Sequence, residues 1–439
     1  MAVRILLIAY DFPPLASPQA IRWHYLTREL VRLGVEVHVL APQLPNSGIS
    51  LQVPEGVVVH RCNAGGLAGW LARRQRPQRP ISATASDTPG AVPTVPTNAA
   101  ALNWKGRAHQ RLDRLISLWC YPDSRGQWRA SACAALPGLL ADIRPDVVIS
   151  SHEPAVSLEI GLQAAGKVDG WLADLGDPVL APYTPRRWRR RASRLEARVC
   201  ATAAAISVTT GATRDQLIAR HGIAPDKVFV LSQGYDDRHP HGPWTPRLHG
   251  LEAGGDVHLL YTGRFYPFRD PTALLQAVLA QPRVRLTVVA PEVKPEYLAL
   301  AARCPERIVF LGEQSHDRVL ELQAECDVLV NIGNALAAQT PGKLFEYLGS
   351  GKPILHCHSV DDDPANALIR GWGRGWVCRN DRASLQAFLT ALVESPQQRC
   401  AELSSDDRAI TPYGWSALAW QLLRRCERAL SRVPVPVPE

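Results

Sequence analysis

The chain has 439 residues, 46% of them hydrophobic, and a formal charge of +8. That length and apolar content exclude a disordered chain and are enough for two sizeable cores, so two domains are expected. The ten cysteines stand singly with no CxxC pair, and nothing at the N-terminus resembles a cleavable signal. Those two features lead to the expectation of a reducing cytoplasm, and since no apolar run approaches the ~20 residues of a membrane-spanning helix, the chain is not expected to cross a bilayer.

VRILLIAY at the start is a continuous apolar run, the pattern of a strand buried on both faces. After a Pro-Pro turn, Ala20 to Leu33 has helical periodicity and stops at Gly34, and VEVHVLAP resumes as a strand. Strand, helix and strand at this spacing predict a parallel βαβ unit. The alternation continues through DVVISS, a helix from Ala155, WLADLGD, a helix from Pro185, AISVTT, a helix from Ala212 and KVFVLSQGYD. Residues from about 73 to 102, rich in Pro, Thr, Ala and Ser, have neither period and read as a mobile insertion. A Pro/Gly/His-rich stretch over 236–255 has the composition of a linker. A second series follows, with LLYTGRF, RLTVVAP, RIVFLGE, VLVNI, KPILHCH and GWVCR as strands separated by helical runs. The α/β pattern predicts two Rossmann-like domains joined by one hinge, then an amphipathic helix from Trp415 to Leu430 and a proline-rich tail.

Ligands of parallel α/β sheets bind outside the carboxyl ends of the strands, which selects the candidate residues. After the first strand, Ala16 and Ser17 precede a helix whose exposed amides suit an anion or a sugar hydroxyl; an ordinary βα turn explains them equally well. Ser151-His152-Glu153-Pro154 follows the VVIS strand and brings an imidazole and a carboxylate to the mouth of the site. His152 there could orient or deprotonate an acceptor hydroxyl, or cap the next helix. Asp174 and Asp177 end the following strand; Asp174 reads as structural and Asp177 stays open between cation, base and loop roles.

In the second series, Arg264 directly follows a strand and Arg269 precedes a helix, a pairing that suits a diphosphate. Gly342 and Lys343 open a short helix and add an approach for an anion and a third cation. Glu346 could accept hydrogen bonds from a ribose diol, or simply pair with Lys343 for ~0.3 kcal/mol. Asp361, Asp362 and Asp363 lie at a helix start, which explains them better than a metal does. The arginine-rich run over 185–198 reads equally as a solvated basic face and as a surface for anionic membrane; nucleic acid is not expected.

DFPPLASPQAIRWHYLTRELVRLGVEVHVLAP resembles the opening of bacterial family-four-type glycosyltransferases, and YTGRF, RIVFLGEQ, AECDVLVN and TPGKLFEYLGSGKPIL are similar to the donor-binding half of the same group. The resemblance implies a GT-B fold, two Rossmann-like domains facing a central cleft. Residues 1–240 would bind the acceptor and 250–410 the nucleotide sugar, with 411–430 crossing back to the first domain and 431–439 as tail. It implies a retaining, metal-independent hexosyltransferase with no cofactor beyond its nucleoside-diphosphate sugar. The acceptor would be a glycan or lipid-linked molecule, and the location cytoplasmic with peripheral attachment at the membrane face. Carried over by motif, Arg264 and Arg269 bind the diphosphate, Gly342 and Lys343 lie beside the phosphates, Glu346 binds the ribose and His152 faces the transferred sugar or the acceptor. Ala16, Ser17 and Asp177 belong to the acceptor or sugar side. Two positions depart from the pattern: Ala16 and Ser17 replace the usual turn glycines, and Ala338 stands where the family has a sugar-contacting glutamate. A non-hydrolysing sugar-nucleotide epimerase and a non-catalytic nucleotide-sugar-binding partner share the same expected fold.

Overall fold

The structure is a computed structural model that describes residues 3–431 except 46–50, 67, 70–71, 73–114, 239–243, 245, 253, 267, 335–339 and 405. The insertion expected near 73–102, Ala338 and the tail beyond 431 lie outside the described residues. The chain divides into two compact units, Met1–Leu231 with 419 onward, and Ser232–Leu418.

The first unit is built on seven parallel strands: β1 (Arg4–Ile8), β2 (Glu36–Gln43), β3 (Val57–Asn63), β4 (Val147–His152), β5 (Gly170–Leu175), β6 (Ala205–Val208) and β7 (Val228–Val230). Their order is β3-β2-β1-β4-β5-β6-β7, so the direction of winding reverses between β1 and β4. These central strands are apolar along their length because helices cover both faces, and β4 and β5 are buried at every residue. Two tryptophans anchor the packing: Trp128, fully buried, meets Tyr10 edge-on at 5.6 Å. Trp23 donates its indole N–H to Ser151 Oγ at 2.6 Å.

The sequence reading passed over β3 and the Trp128–Ile143 helix. β3 lies at the sheet edge with only part-burial, so its apolar signal is diluted, and the helix carries an interior proline, Pro137, that mimics a break.

The second unit holds six parallel strands, β8 (Val257–Thr262), β9 (Val284–Val289), β10 (Ile308–Phe310), β11 (Val328–Ile332), β12 (Ile354–His358) and β13 (Gly375–Arg379), in the order β10-β9-β8-β11-β12-β13. Here the winding reverses between β8 and β11. The unit begins at Ser232, upstream of the Pro-rich stretch that reads as a linker. The described part of that stretch is fastened to this unit: Leu248 is buried in its core and Asp327 accepts from the amides of Gly250 and His258 at 3.0 and 2.8 Å. The last helix, Trp415–Ser431, begins in the second unit, and from Ala419 onward its residues belong to the first. Gln421 donates to the Val230 carbonyl at 2.9 Å within the first unit.

Candidate functional site

In doubly wound sheets the ligand crevice opens at the carboxyl ends of the two strands where winding reverses. In the second unit those strands are β8 and β11. Gly263 leaves β8 with φ +144°, a conformation open to glycine, and Arg264 follows it, exposed. Arg269 reaches across to the end of β11, where its Nη2 donates to Asn334 Oδ1 at 2.6 Å and its guanidinium lies 5.4 Å from the centre of the Tyr266 ring. Its Nε is buried and has no hydrogen-bond partner among the described residues. A buried donor left unpaired is costly, and an oxygen-rich ligand would relieve that cost.

The Gly342–Leu348 helix starts beside the same strand ends. It is held there by Tyr347, whose phenolic oxygen accepts from the Thr262 amide at 3.1 Å and lies 2.9 Å from Thr262 Oγ1. Leu344 and Phe345 bury the other flank of the helix in a core with Trp372 and Ile410. Lys343 Nζ donates to both oxygens of Glu346, at 2.8 and 3.0 Å, so the i,i+3 ion pair weighed from the sequence is present. Gln323 Nε2 also donates to Glu346 at 2.7 Å. Burial opposes the Glu346 charge, yet Lys343, His316 and these hydrogen bonds outweigh it and hold the carboxyl below the usual range. The glutamate is therefore ionised and fixed, an acceptor for hydroxyl donors. Gly342 has Gln233 as nearest neighbour to its missing Cβ, at 3.4 Å.

Asp363 caps the Pro364–Trp372 helix by accepting from Ala365 N at 2.9 Å, and Asp361 pairs with Arg379 at 2.9 Å. Among the described residues no group of three or more His, Cys, Asp or Glu could hold a metal ion.

In the first unit the reversal falls between β1 and β4, and Ser17 and His152 stand at these ends, with Ala16 exposed in the turn. Ser17 caps the Pro18–Arg32 helix, accepting from Ala20 N and donating to Asp11 Oδ2 at 2.8 Å. A carboxylate thus already sits beside the helix start, so the turn suits a hydroxyl better than a second anion. His152 is 6% exposed, and its Nδ1 donates to the Asp177 carbonyl at 3.0 Å, which leaves Nε2 as the accepting nitrogen of a neutral ring. Burial pushes its pKa below the ordinary histidine value, against the pull of Asp177. The Asp177 carboxylate accepts from Tyr183 Oη at 3.0 Å. Asp174 lies in the core, bound by Arg22 at 3.2 Å and Ser207 at 2.7 Å.

Three residues at this site escaped the sequence reading. Gln19 donates to Ser151 Oγ and to the His152 carbonyl at 2.8 and 2.9 Å, which fixes the histidine loop from the first helix. Arg125 pairs with Asp123 at 2.7 Å, and its charge is sustained against burial by Asp123, Asp11 and Glu153. Desolvation pushes the carboxyls of Asp11 and Glu153 up in spite of that arginine. Asp11 could have been found from its place just after β1; Arg125 sits in a short 3-10 turn, Ser124–Gln127, far along the chain and carries no periodic signal.

The two parallel sheets with their interleaved helices match the GT-B fold, two Rossmann-like domains, of the solved structures named below. Residues 83–234 match the family described as glycosyl transferase 4-like domain, which agrees with the resemblance drawn from the motifs. Solved structures that share the fold include sucrose-phosphate synthase from Thermosynechococcus elongatus, with TM-score 0.64, 14% identity and coverage of 98% of this chain and 99% of that one. An Anabaena protein, HepE, solved with UDP-glucose, has TM-score 0.60 and 13% identity over 97% of this chain and 99% of its own. A putative UDP-N-acetylglucosamine 2-epimerase from Listeria monocytogenes has TM-score 0.56 and 13% identity over 100% of both chains. No protein of curated function matches by sequence.

Proposed function

We propose that the chain is a retaining, metal-independent glycosyltransferase that moves a hexose from a nucleoside-diphosphate sugar to a polysaccharide, glycolipid or lipid-linked acceptor at the cytoplasmic face of a membrane. The observation that carries this reading is the β8/β11 strand end: Arg264 follows β8, Arg269 has a buried Nε without a hydrogen-bond partner among the described residues, and the helix bearing the Lys343–Glu346 pair is tied to Thr262 at the end of β8. A diphosphate supplies oxygens to the two guanidiniums, and Glu346 accepts from the ribose hydroxyls. Lys343, paired with Glu346 in the free protein, is shared with the phosphate once the donor binds. The UDP-glucose held by the Anabaena structure makes uridine the first nucleotide to test.

In the transfer, an acceptor hydroxyl oxygen bonds to the anomeric carbon on the face from which the diphosphate leaves, and the hydroxyl proton passes to the departing phosphate oxygen. Arg264, Arg269 and Lys343 offset the charge that collects on that oxygen. His152, neutral and held by Asp177, presents Nε2 to a hydroxyl of the sugar or acceptor, and Ala16, Ser17 and Asp177 shape the acceptor side. No cofactor is called for beyond the donor itself.

The test is turnover of a panel of UDP-, GDP- and TDP-sugars with lipid-linked and glycan acceptors, with and without a chelator. Acceptor-dependent product with the anomeric configuration kept is expected. The reading fails if no donor turns over and Arg264→Ala leaves nucleotide affinity unchanged. His152→Ala should lower kcat far more than donor affinity, and equal losses would remove it from catalysis. The epimerase alternative shares the fold with the Listeria protein, and turnover of a sugar nucleotide with no acceptor present would identify it. The non-catalytic alternative, motivated by Ala338, requires donor binding without any turnover.

A further inference from the structure

The first unit carries a surface that neither of its strand-end residues explains. A helical turn over 115–119 places Leu115, Leu118 and Trp119 on one face by their i, i+3 and i+4 spacing, and they are 57%, 47% and 85% exposed. Large apolar side chains exposed as a contiguous patch mark an interaction site. This turn lies along the arginine-rich segment: Arg187 Nη2 donates to the Ser117 carbonyl at 3.1 Å, Tyr121 meets Trp188 edge-on at 5.5 Å, and Arg191 lies over the Tyr121 ring at 4.5 Å. Arg186, Arg187, Arg189, Arg190, Arg194 and Arg198 are all exposed, and among the described residues none has a carboxylate within ion-pair distance. The nearest acids are engaged elsewhere, since Glu159 binds Arg129 and Arg191 and Glu196 binds Arg220. An open recess of about 450 Å³ lies between Leu180, Arg189, Arg190, Ser193 and Arg194.

We propose that this face docks on an anionic phospholipid surface, with Leu115, Leu118 and Trp119 entering the headgroup layer and the arginines resting on lipid phosphates. An apolar wedge with a tryptophan, flanked by arginines that have no carboxylate partner among the described residues, matches the interface of a charged bilayer in both its terms, hydrophobic and electrostatic. Arginine suits phosphate oxygens through its forked donors. The apolar wedge is what nucleic acid does not require, and it is absent from a merely solvated basic face. Tyr183, 56% exposed and just ahead of the arginine-rich segment in the chain, donates to Asp177, which the function proposed above places on the acceptor side. Delivery of a lipid-borne acceptor along that path rests on the function proposed above; the docking itself does not.

The experiment is co-sedimentation of the full chain with sucrose-loaded vesicles, phosphatidylcholine alone against phosphatidylcholine with about 40% phosphatidylglycerol at ~0.1 M salt, with no nucleotide sugar present. Binding to the anionic vesicles only is expected, weakening about fivefold for each of Arg186→Glu and Arg190→Glu and at least about fivefold for Trp119→Ala. Quenching of tryptophan emission by brominated lipid should be reduced in Trp119→Ala. Equal binding to both vesicle types, or affinity independent of Trp119 and the arginines, overturns the proposal, as does displacement of vesicles by an equal mass of single-stranded RNA. Circular dichroism and Tm of the variants show whether they fold. Sugar transfer to a soluble acceptor without vesicle binding removes this inference alone, and vesicle binding without turnover of any donor removes the proposed activity alone.

Discussion

The two winding reversals, β1/β4 in the first unit and β8/β11 in the second, share one topology and differ in the charged residues that follow their strands. At β1/β4 Asp11, Asp123 and Glu153 act on the guanidinium of Arg125, and the Arg61 guanidinium donates to the Pro13 carbonyl in the loop after β1. At β8/β11 Arg264 and Arg269 follow β8, Lys343 pairs with Glu346, and Asp363 lies against Gly333 after β11. Topology therefore places a site in each sheet, and the residues just beyond the strands choose its ligand. Under the function proposed above, the arginines of the β8/β11 end serve the diphosphate, and the β1/β4 end, where burial raises the carboxyls of Asp11 and Glu153 toward their neutral form, serves the hydroxyls of the acceptor.

The largest expected effect probes the support of the β1/β4 end. Arg22 and Asp174 are buried at 0% and 1% side-chain exposure, so Arg22→Met should lower the unfolding free energy by about 3–5 kcal/mol by stranding a buried carboxylate. The urea midpoint reads this directly, and a loss under about 1 kcal/mol would mean that Ser207 and Gln19 satisfy Asp174 unaided.

Next comes the contrast itself. Arg269→Ala should weaken UDP binding about 10- to 100-fold by calorimetry, the loss of one or two charge-assisted hydrogen bonds, whereas Arg125→Ala should leave it within about twofold. Equal effects would erase the division of labour between the two ends.

A smaller effect concerns pH. Because burial lowers the His152 pKa, the unfolded chain takes up a proton that the folded chain refuses. This contribution is whole above the ordinary histidine value and is lost as pH falls from there toward the lower folded value, with a slope of at most about 1.4 kcal/mol per pH unit. His60, His258 and His316 are also lowered, mainly by burial, so the measurement is the difference between wild type and His152→Asn in denaturant unfolding from about pH 7 to about pH 5. Identical slopes would show that His152 titrates as in the unfolded chain.

The smallest is Lys343→Met. Its pair with Glu346 is one-third exposed on the lysine side, so stability should change by less than about 0.5 kcal/mol while UDP affinity falls measurably. A large stability loss with unchanged affinity would make the pair structural.

Much of this was legible before any coordinates. VRILLIAY, DVVISS, WLADLGD and VLVNI announced buried parallel strands because a strand covered on both faces must be apolar throughout, and residues read off directly after those strands, such as His152, Arg264 and Arg269, lie at the strand ends. Strand β3 was missed because an edge strand is only half covered. Gln19 and Arg125 carry no signal as site residues because their place at the β4 end depends on segments distant in sequence, Gln19 reaching Ser151 132 residues away and Arg125 facing Asp11 and Glu153, whereas Asp11 was legible from its position after β1.

By itself the sequence determined the two α/β series, their strands apart from β3, and the arginines that follow β8, since local periodicity and position after a strand depend only on neighbours along the chain. Tertiary structure alone decided which strands reverse the winding, that Gln19 reaches the end of β4, and that a tryptophan turn lies against the arginine helix. Those outcomes rest on distance and burial between remote segments, which no spacing in the chain encodes.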